Sequence, residues 1–213
     1  MKRTLFVLII LLLVVDVIEG QKSSFHIRAG ITNCTTKSML VPNTGTALSG
    51  FDPRIGGLFG GRYDYKLSRY FHIGSELLYL LKGNTSMAPG AEGTYSNHYL
   101  SLSPYLSVLP FVNSGNKYIS CISPEISFDY NYFLGSNKIW KPFDEVKFYP
   151  YELGYTLKLT YQPAKFGIQF FYFRSLTPYY VTHSYTPIMD DYKYSFVSGV
   201  TIIYKIFPPH SKP

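Results

Sequence analysis

The stretch Tyr151-Glu152-Leu153-Gly154-Tyr155-Thr156-Leu157-Lys158-Leu159-Thr160-Tyr161-Gln162 decides the fold. Tyr151, Leu153, Tyr155, Leu157, Leu159 and Tyr161 fall on one side of an extended chain, and Glu152, Gly154, Thr156, Lys158 and Thr160 on the other. A helix would mix these two sets, whereas a pleated strand separates them because its side chains point alternately to opposite faces.

The same period of two recurs on both sides of this segment. Upstream, Phe25, Ile27, Ala29 and Ile31 alternate with His26, Arg28, Gly30 and Thr32, and Phe59, Tyr63 and Tyr65 with Gly60, Arg62, Asp64 and Lys66. Phe71, Ile73, Leu77, Tyr79 and Leu81 oppose His72, Gly74 and Glu76; Leu100, Leu102, Leu106 and Val108 oppose Ser101, Ser103, Tyr105 and Ser107. A fifth segment, Tyr118 to Tyr130, sets Ile122, Ile126 and Phe128 against Cys121, Ser123, Glu125, Ser127 and Asp129. Downstream, Phe166 to Leu176 is aromatic on both faces at 170–173 and places Arg174 out of phase, which predicts a bulge. The last segment sets Phe196, Val200, Ile202, Tyr204 and Ile206 against Gly199, Thr201 and Lys205.

The connections alternate in length. Residues 68–70, 113–116 and 163–165 read as tight turns, while 33–54, 83–98, 131–150 and 178–193 read as long loops rich in Gly, Pro, Asn, Ser and Thr. Eight strands with short turns at one end and long loops at the other predict an all-β fold. It is an eight-stranded antiparallel up-and-down transmembrane β-barrel whose short turns face the periplasm.

Composition agrees with a membrane surface. The chain holds 21 Tyr, 16 Phe and one Trp, and its charged fraction of 15% is low against the roughly 25% of soluble domains. Lys2 and Arg3 followed by the apolar run Leu5 to Val15 read as an export signal, with cleavage at Gly20-Gln21. An uncleaved anchor is the alternative. The predicted organisation is a signal peptide over 1–20, the barrel over 21–207 and a tail over 208–213. No later apolar run reaches the ~18 residues of a spanning helix, so any later crossing is made by strands. The net charge of +7 survives removal of the signal, whose two bases and two acids cancel. The basic residues are scattered, which argues against nucleic acid as a partner.

Residue size assigns the faces. Gly30, Gly56, Gly60, Gly74, Gly154, Ser101, Ser103, Ser107, Ser123, Ser127, Thr156 and Thr160 crowd the polar face, as a narrow barrel interior requires. The charged residues on that face, Arg28, Arg62, Asp64, Lys66, Glu76, Glu125, Glu152 and Lys158, carry both signs and predict a lumen network of ion pairs, since buried charges persist only when paired. Tyr65, Tyr79, Tyr118, Tyr130, Tyr151, Tyr161 and Tyr204 are predicted girdle residues. Cys34 and Cys121 fall on non-neighbouring strands and are expected as free thiols.

The run 57–68, Gly-Leu-Phe-Gly-Gly-Arg-Tyr-Asp-Tyr-Lys-Leu-Ser, continues through Glu76-Leu77-Leu78-Tyr79 to Lys82-Gly83. It resembles the PorT-like small outer-membrane β-barrel domain common in Bacteroidetes. The resemblance extends loosely over Phe25 to Phe207 and implies the fold and the bacterial outer membrane. A few members serve secretion or gliding machinery.

No catalytic, cofactor or metal site is expected. His183-Ser184 with Asp190 or Asp191 is the nearest set to a Ser/His/acid triad, and no motif surrounds it. The two-His sets lack a metal-ligand spacing. Trp140 and Phe143, in the third long loop, are a candidate binding platform for an unidentified protein or glycan. The other expected partners are outer-membrane lipid and the barrel-insertion machinery that reads the terminal strand. The leading expectation is therefore a non-enzymatic barrel with a structural or interaction role. A narrow gated channel for small solutes and a soluble lipocalin-like carrier are the alternatives.

Overall fold

A computed structural model of the chain describes residues 23–38, 51–86, 93–140, 146–185 and 188–207. The stretches read as an export signal, 1–20, and as a tail, 208–213, lie outside them. The strands are β1 (Ser23–Ser38), β2 (Phe51–Lys66), β3 (Phe71–Ser86), β4 (Gly93–Val108), β5 (Ile122–Trp140), β6 (Val146–Phe148), β7 (Tyr151–Tyr161), β8 (Phe166–Ser175), β9 (Tyr180–Tyr185) and β10 (Ile188–Phe207). Each pairs antiparallel with its neighbour, and β1 pairs with β10 from Phe25↔Phe207 to Ser38↔Lys193, which closes the sheet on itself.

The ten strands make an eight-stranded barrel. β8 and β9 pair in succession with β10, at Tyr204 to Phe196 and then at Lys193 to Ile188, so they form one stave interrupted at 176–179. β6 and β7 likewise share a stave beside them. The interruption keeps its hydrogen bonds: Leu176 N donates to Leu153 O at 2.8 Å, Leu153 N to Thr177 Oγ1 at 2.9 Å and Tyr179 N to Lys193 O at 2.9 Å. Through β1–β10, β5–β7 and β8–β10 the wall closes around the belt, the condition for a sheet in hydrocarbon.

Burial is inverted relative to a water-soluble domain. Ile31, Phe59, Leu77 and Ile202 are 65, 59, 54 and 59% exposed, whereas Arg28, Glu76 and Glu152 are at most 1% exposed. The apolar face therefore points outward, and a soluble carrier with a greasy cavity is excluded by this orientation. Tyr79, Tyr132 and Tyr151 are linked by the register pairs Tyr79↔Leu100, Leu100↔Tyr132 and Tyr132↔Tyr151, which sets them in one row toward the long-loop end. Tyr161 and Tyr204 stand exposed toward the other end, where the Tyr204 ring lies 4.8 Å from Phe166.

Three expectations are corrected. The strands run well into the stretches read as loops: β1 reaches Ser38, β4 begins at Gly93 and β5 extends to Trp140. β8 needs no bulge, because its burial alternates without a break; Phe171 and Phe173 point inward and Arg174 outward, its guanidinium 5.9 Å from the Phe196 ring. The β4–β5 connection is longer than a four-residue turn, spanning 109–121 and ending in a 3-10 turn, Ile119–Cys121. Gly115 lies in it with φ 69°, a left-handed conformation suited to glycine.

Candidate functional site

Around the belt, alternate residues of the staves project into the barrel, and the lumen brings together polar residues far apart in the chain. Its middle layer is built on Arg62 of β2. Arg62 donates to Asp64 at 2.8 Å, to Glu125 Oε2 at 2.7 Å and Oε1 at 3.1 Å, and more loosely to Glu76 at 3.4 Å. Glu76 also accepts from Arg28 at 2.5 Å and from Lys158 Nζ at 2.7 Å. Thr160 and Gln169 complete the shell of Glu125 at 2.7 and 3.2 Å, and Arg28 Nε reaches Thr201 at 3.1 Å. Arg28, Arg62 and Lys158 thus stand against Asp64, Glu76 and Glu125, three cations against three carboxylates. A layer balanced in this way satisfies the rule that a buried charge needs a partner.

The Tyr105 ring seals one side of this layer. It lies 4.3 Å from the Arg62 guanidinium, and its hydroxyl donates to Asp64. Gly74 stands opposite on β3, in direct register with Tyr105, and a Cβ there would meet both the Tyr63 carbonyl oxygen and the Tyr105 hydroxyl. Glycine is required at this position because that carbonyl and the phenol together occupy its side-chain space.

Toward the long-loop end, the lumen changes character. Leu58, Leu80, Tyr99, Phe171, Phe173, Val197 and Cys34 form a buried apolar cluster. Beyond it lies a second ion pair, Lys82 Nζ to Glu152 at 2.5 Å, with Asn131 donating to Glu152 at 3.3 Å and the Ser195 hydroxyl also bonding it. Lys82 sits 4.0 Å from the Phe173 ring centroid, so the apolar cluster supports the charge on one side. Asp129, between the two layers, accepts from Thr156 at 2.6 Å and Ser127 at 3.1 Å.

Of the eight charged residues read as one network, six meet in the middle layer: Arg28, Arg62, Asp64, Glu76, Glu125 and Lys158. Glu152 belongs instead to the outer pair with Lys82. Lys66 has the inward parity but is exposed, because β2 ends there and the side chain leaves the lumen at the rim. Asp129 reads on the polar face but not among the lumen charges, and Lys82 and Gln169 are not singled out by the sequence; the alternation of β3 and β8 places both of them inward. Trp140 is the last residue of β5, paired with Gly93, rather than part of a loop; Phe143 lies outside the described residues. His183 pairs in register with Asp190, and Ser184 with Met189, across the β9–β10 hairpin. Both cysteines are free, Cys34 buried in the apolar cluster and Cys121 partly exposed in the β4–β5 connection.

No protein-family model matches the chain, and no curated protein matches it in sequence. Solved structures do. The outer membrane protein OprG from Pseudomonas aeruginosa is similar over 89% of this chain and 99% of its own, at 12% identity and a TM-score of 0.50. Ail, the attachment invasion locus protein of Yersinia pestis, covers 86% of this chain and 99% of its own at 14% identity and a TM-score of 0.40. The outer membrane protein AlkL covers 91% and 94% at 7% identity and a TM-score of 0.43. The OprG likeness is one of fold. With the lipid-facing belt, it defines the class: an integral β-barrel of the bacterial outer membrane, small and eight-stranded.

Proposed function

We propose that this barrel is a non-enzymatic, non-conducting outer-membrane protein that acts through contacts at its two mouths. The observation that carries the reading is the filled lumen: the Arg62 layer, the apolar cluster and the Lys82–Glu152 pair follow one another along the axis. Buried, paired charges hold side chains in place and leave no continuous water path. The long-loop mouth, where β4 and β5 pair up to Gly93↔Trp140, is the surface for an unidentified protein or glycan, with Trp140 and Phe143 as its aromatic contacts. Outer-membrane lipid contacts the belt, and the insertion machinery reads β10. The finer family reading, with the PorT-like group, rests on the run 57–83.

Planar-bilayer recording of the purified barrel tests the closed lumen. The expected result is no regular unitary conductance, including when Arg62 and Glu125 are both replaced by alanine, because the apolar cluster and the Lys82–Glu152 pair still fill the axis. Regular steps in the unaltered protein would establish the runner-up, a narrow channel for small solutes.

A further inference from the structure

Below the Arg62 layer the barrel opens toward the short-turn end as a polar cup of about 290 Å³, lined among others by His26, Asp64, His72, Ser107, Ser123 and Lys205. Its floor is saturated. Asp64 is held by Arg62 at 2.8 Å and by the Tyr105 hydroxyl, with His26 Nδ1 2.7 Å away, so the acidic side chain lining the cup is already partnered. Lys205 enters the cup from β10 half-buried, its backbone N–H spent on Lys165 O at 2.8 Å. Among the described residues no carboxylate lies within ion-pair distance of its ammonium group.

The surroundings carry the same sign. The short-turn end presents Lys66 and Arg69 between β2 and β3, Lys117 between β4 and β5, and Lys165 between β7 and β8. The stretches 66–72, 107–123, 160–167 and 203–207 contain no Asp or Glu. A collar of one sign around a low-dielectric recess concentrates counter-ions in it. A half-buried ammonium that no carboxylate touches, with Asp64 acting on it only through space, is the group such an ion would satisfy.

We propose that the cup is a binding site for a small soluble anion, a carboxylate or phosphate group on a polar ligand, gripped by Lys205 with hydrogen bonds from His72 and the hydroxyls of Ser107 and Ser123. The volume lies near the roughly 300 Å³ lower bound of ligand pockets, which suits an amino acid or the end of a short peptide. Anionic lipid headgroups offer the same chemistry. The cup opens along the barrel axis, inside the wall that separates it from lipid, and this favours the free anion.

The test uses the full barrel in phosphatidylcholine nanodiscs at roughly 0.15 M salt, where exposed charges are screened beyond about 8 Å. Inorganic phosphate and N-acetylglycine are titrated while backbone amide shifts are followed. Saturable shifts centred on 72, 107, 123 and 205 are expected, with affinity falling about tenfold or more in Lys205→Gln. Lys205→Arg should retain binding, and the collar variant Lys66→Gln/Lys165→Gln should lose less than about threefold. His72→Gln weakens binding in the same direction and carries the test if Lys205→Gln does not insert. The proposal is overturned by the absence of saturable binding of either anion, or by an equal loss in the collar variant, which would mean diffuse attraction only. It is also overturned if the same shifts appear without added anion once phosphatidylglycerol replaces phosphatidylcholine, since a headgroup would then be the occupant.

Discussion

Gly74 and Tyr105 face each other across the β3–β4 ladder, and the phenol fills the space that any larger residue at 74 would need. Gly74→Ala is therefore expected to destabilise the barrel by about 1–3 kcal/mol through overpacking. Tyr105→Phe keeps the ring and removes a hydrogen bond to a charged group, a loss of about 1.5–3 kcal/mol. Urea unfolding in detergent micelles, with heat-modifiable gel mobility as the folded-state check, measures both. An unchanged midpoint for Gly74→Ala would contradict the contact.

The Arg62 layer gives a sharper test, because its charges balance. Arg62→Ala leaves Asp64 and Glu125 buried without their main partner and should cost about 3–5 kcal/mol. Arg62→Met combined with Glu125→Leu removes both members of the 2.7 Å pair and should cost less than the single change. A double variant no more stable than Arg62→Ala would show that Asp64 and Glu76, not Glu125, set the energetics.

Orientation is tested from outside. Leu77 lies in the exposed belt, six residues into β3 from its short-turn end, and Leu67 lies in the turn before that strand. Leu77→Arg should reduce folding stability in lipid vesicles by about 2–4 kcal/mol, and Leu67→Arg by about 0–1 kcal/mol. Equal costs at the two sites would place the belt elsewhere.

The two thiols report on the staves independently. Cys34 is 1% exposed in the apolar cluster, and Cys121 is partly exposed in the β4–β5 connection. A membrane-impermeant maleimide added to detergent-solubilised barrel should label Cys121 within minutes, on the order of the time of free reagent reaction, and Cys34 only after unfolding. Rapid labelling of Cys34 would put β1 in the wrong register.

Much of this architecture was legible in the residues, for a physical reason. Where the wall meets lipid on one side and packed polar groups on the other, successive residues must differ, and the Tyr151–Gln162 stretch shows the contrast directly. Further along the contrast fades: β4 begins at Gly93 and runs through Thr94, Tyr95, Ser96 and Asn97, a stretch without alternating apolar residues, so the ladder continues while the pattern does not. The aromatic run 170–173 misled for a different reason. Phe171 stands in register with Gly199, and Phe173 lies over Gly154; these ring-over-glycine contacts join residues far apart in the chain. The inward charges were readable from parity, but their division into two layers was not, because it depends on which staves are neighbours and at what height. Parity alone also placed Lys66 inside, since alternation does not mark where a stave ends.

The seam between β1 and β10 joins the first described stave to the last along almost their whole lengths. Until the residues of β10, Ile188–Phe207, arrive, β1 and β8 both present raw margins with unanswered amides, a state tolerable in water and prohibitive in oil. Closure therefore comes last: the cylinder cannot exist until β10 has been made and has met β1.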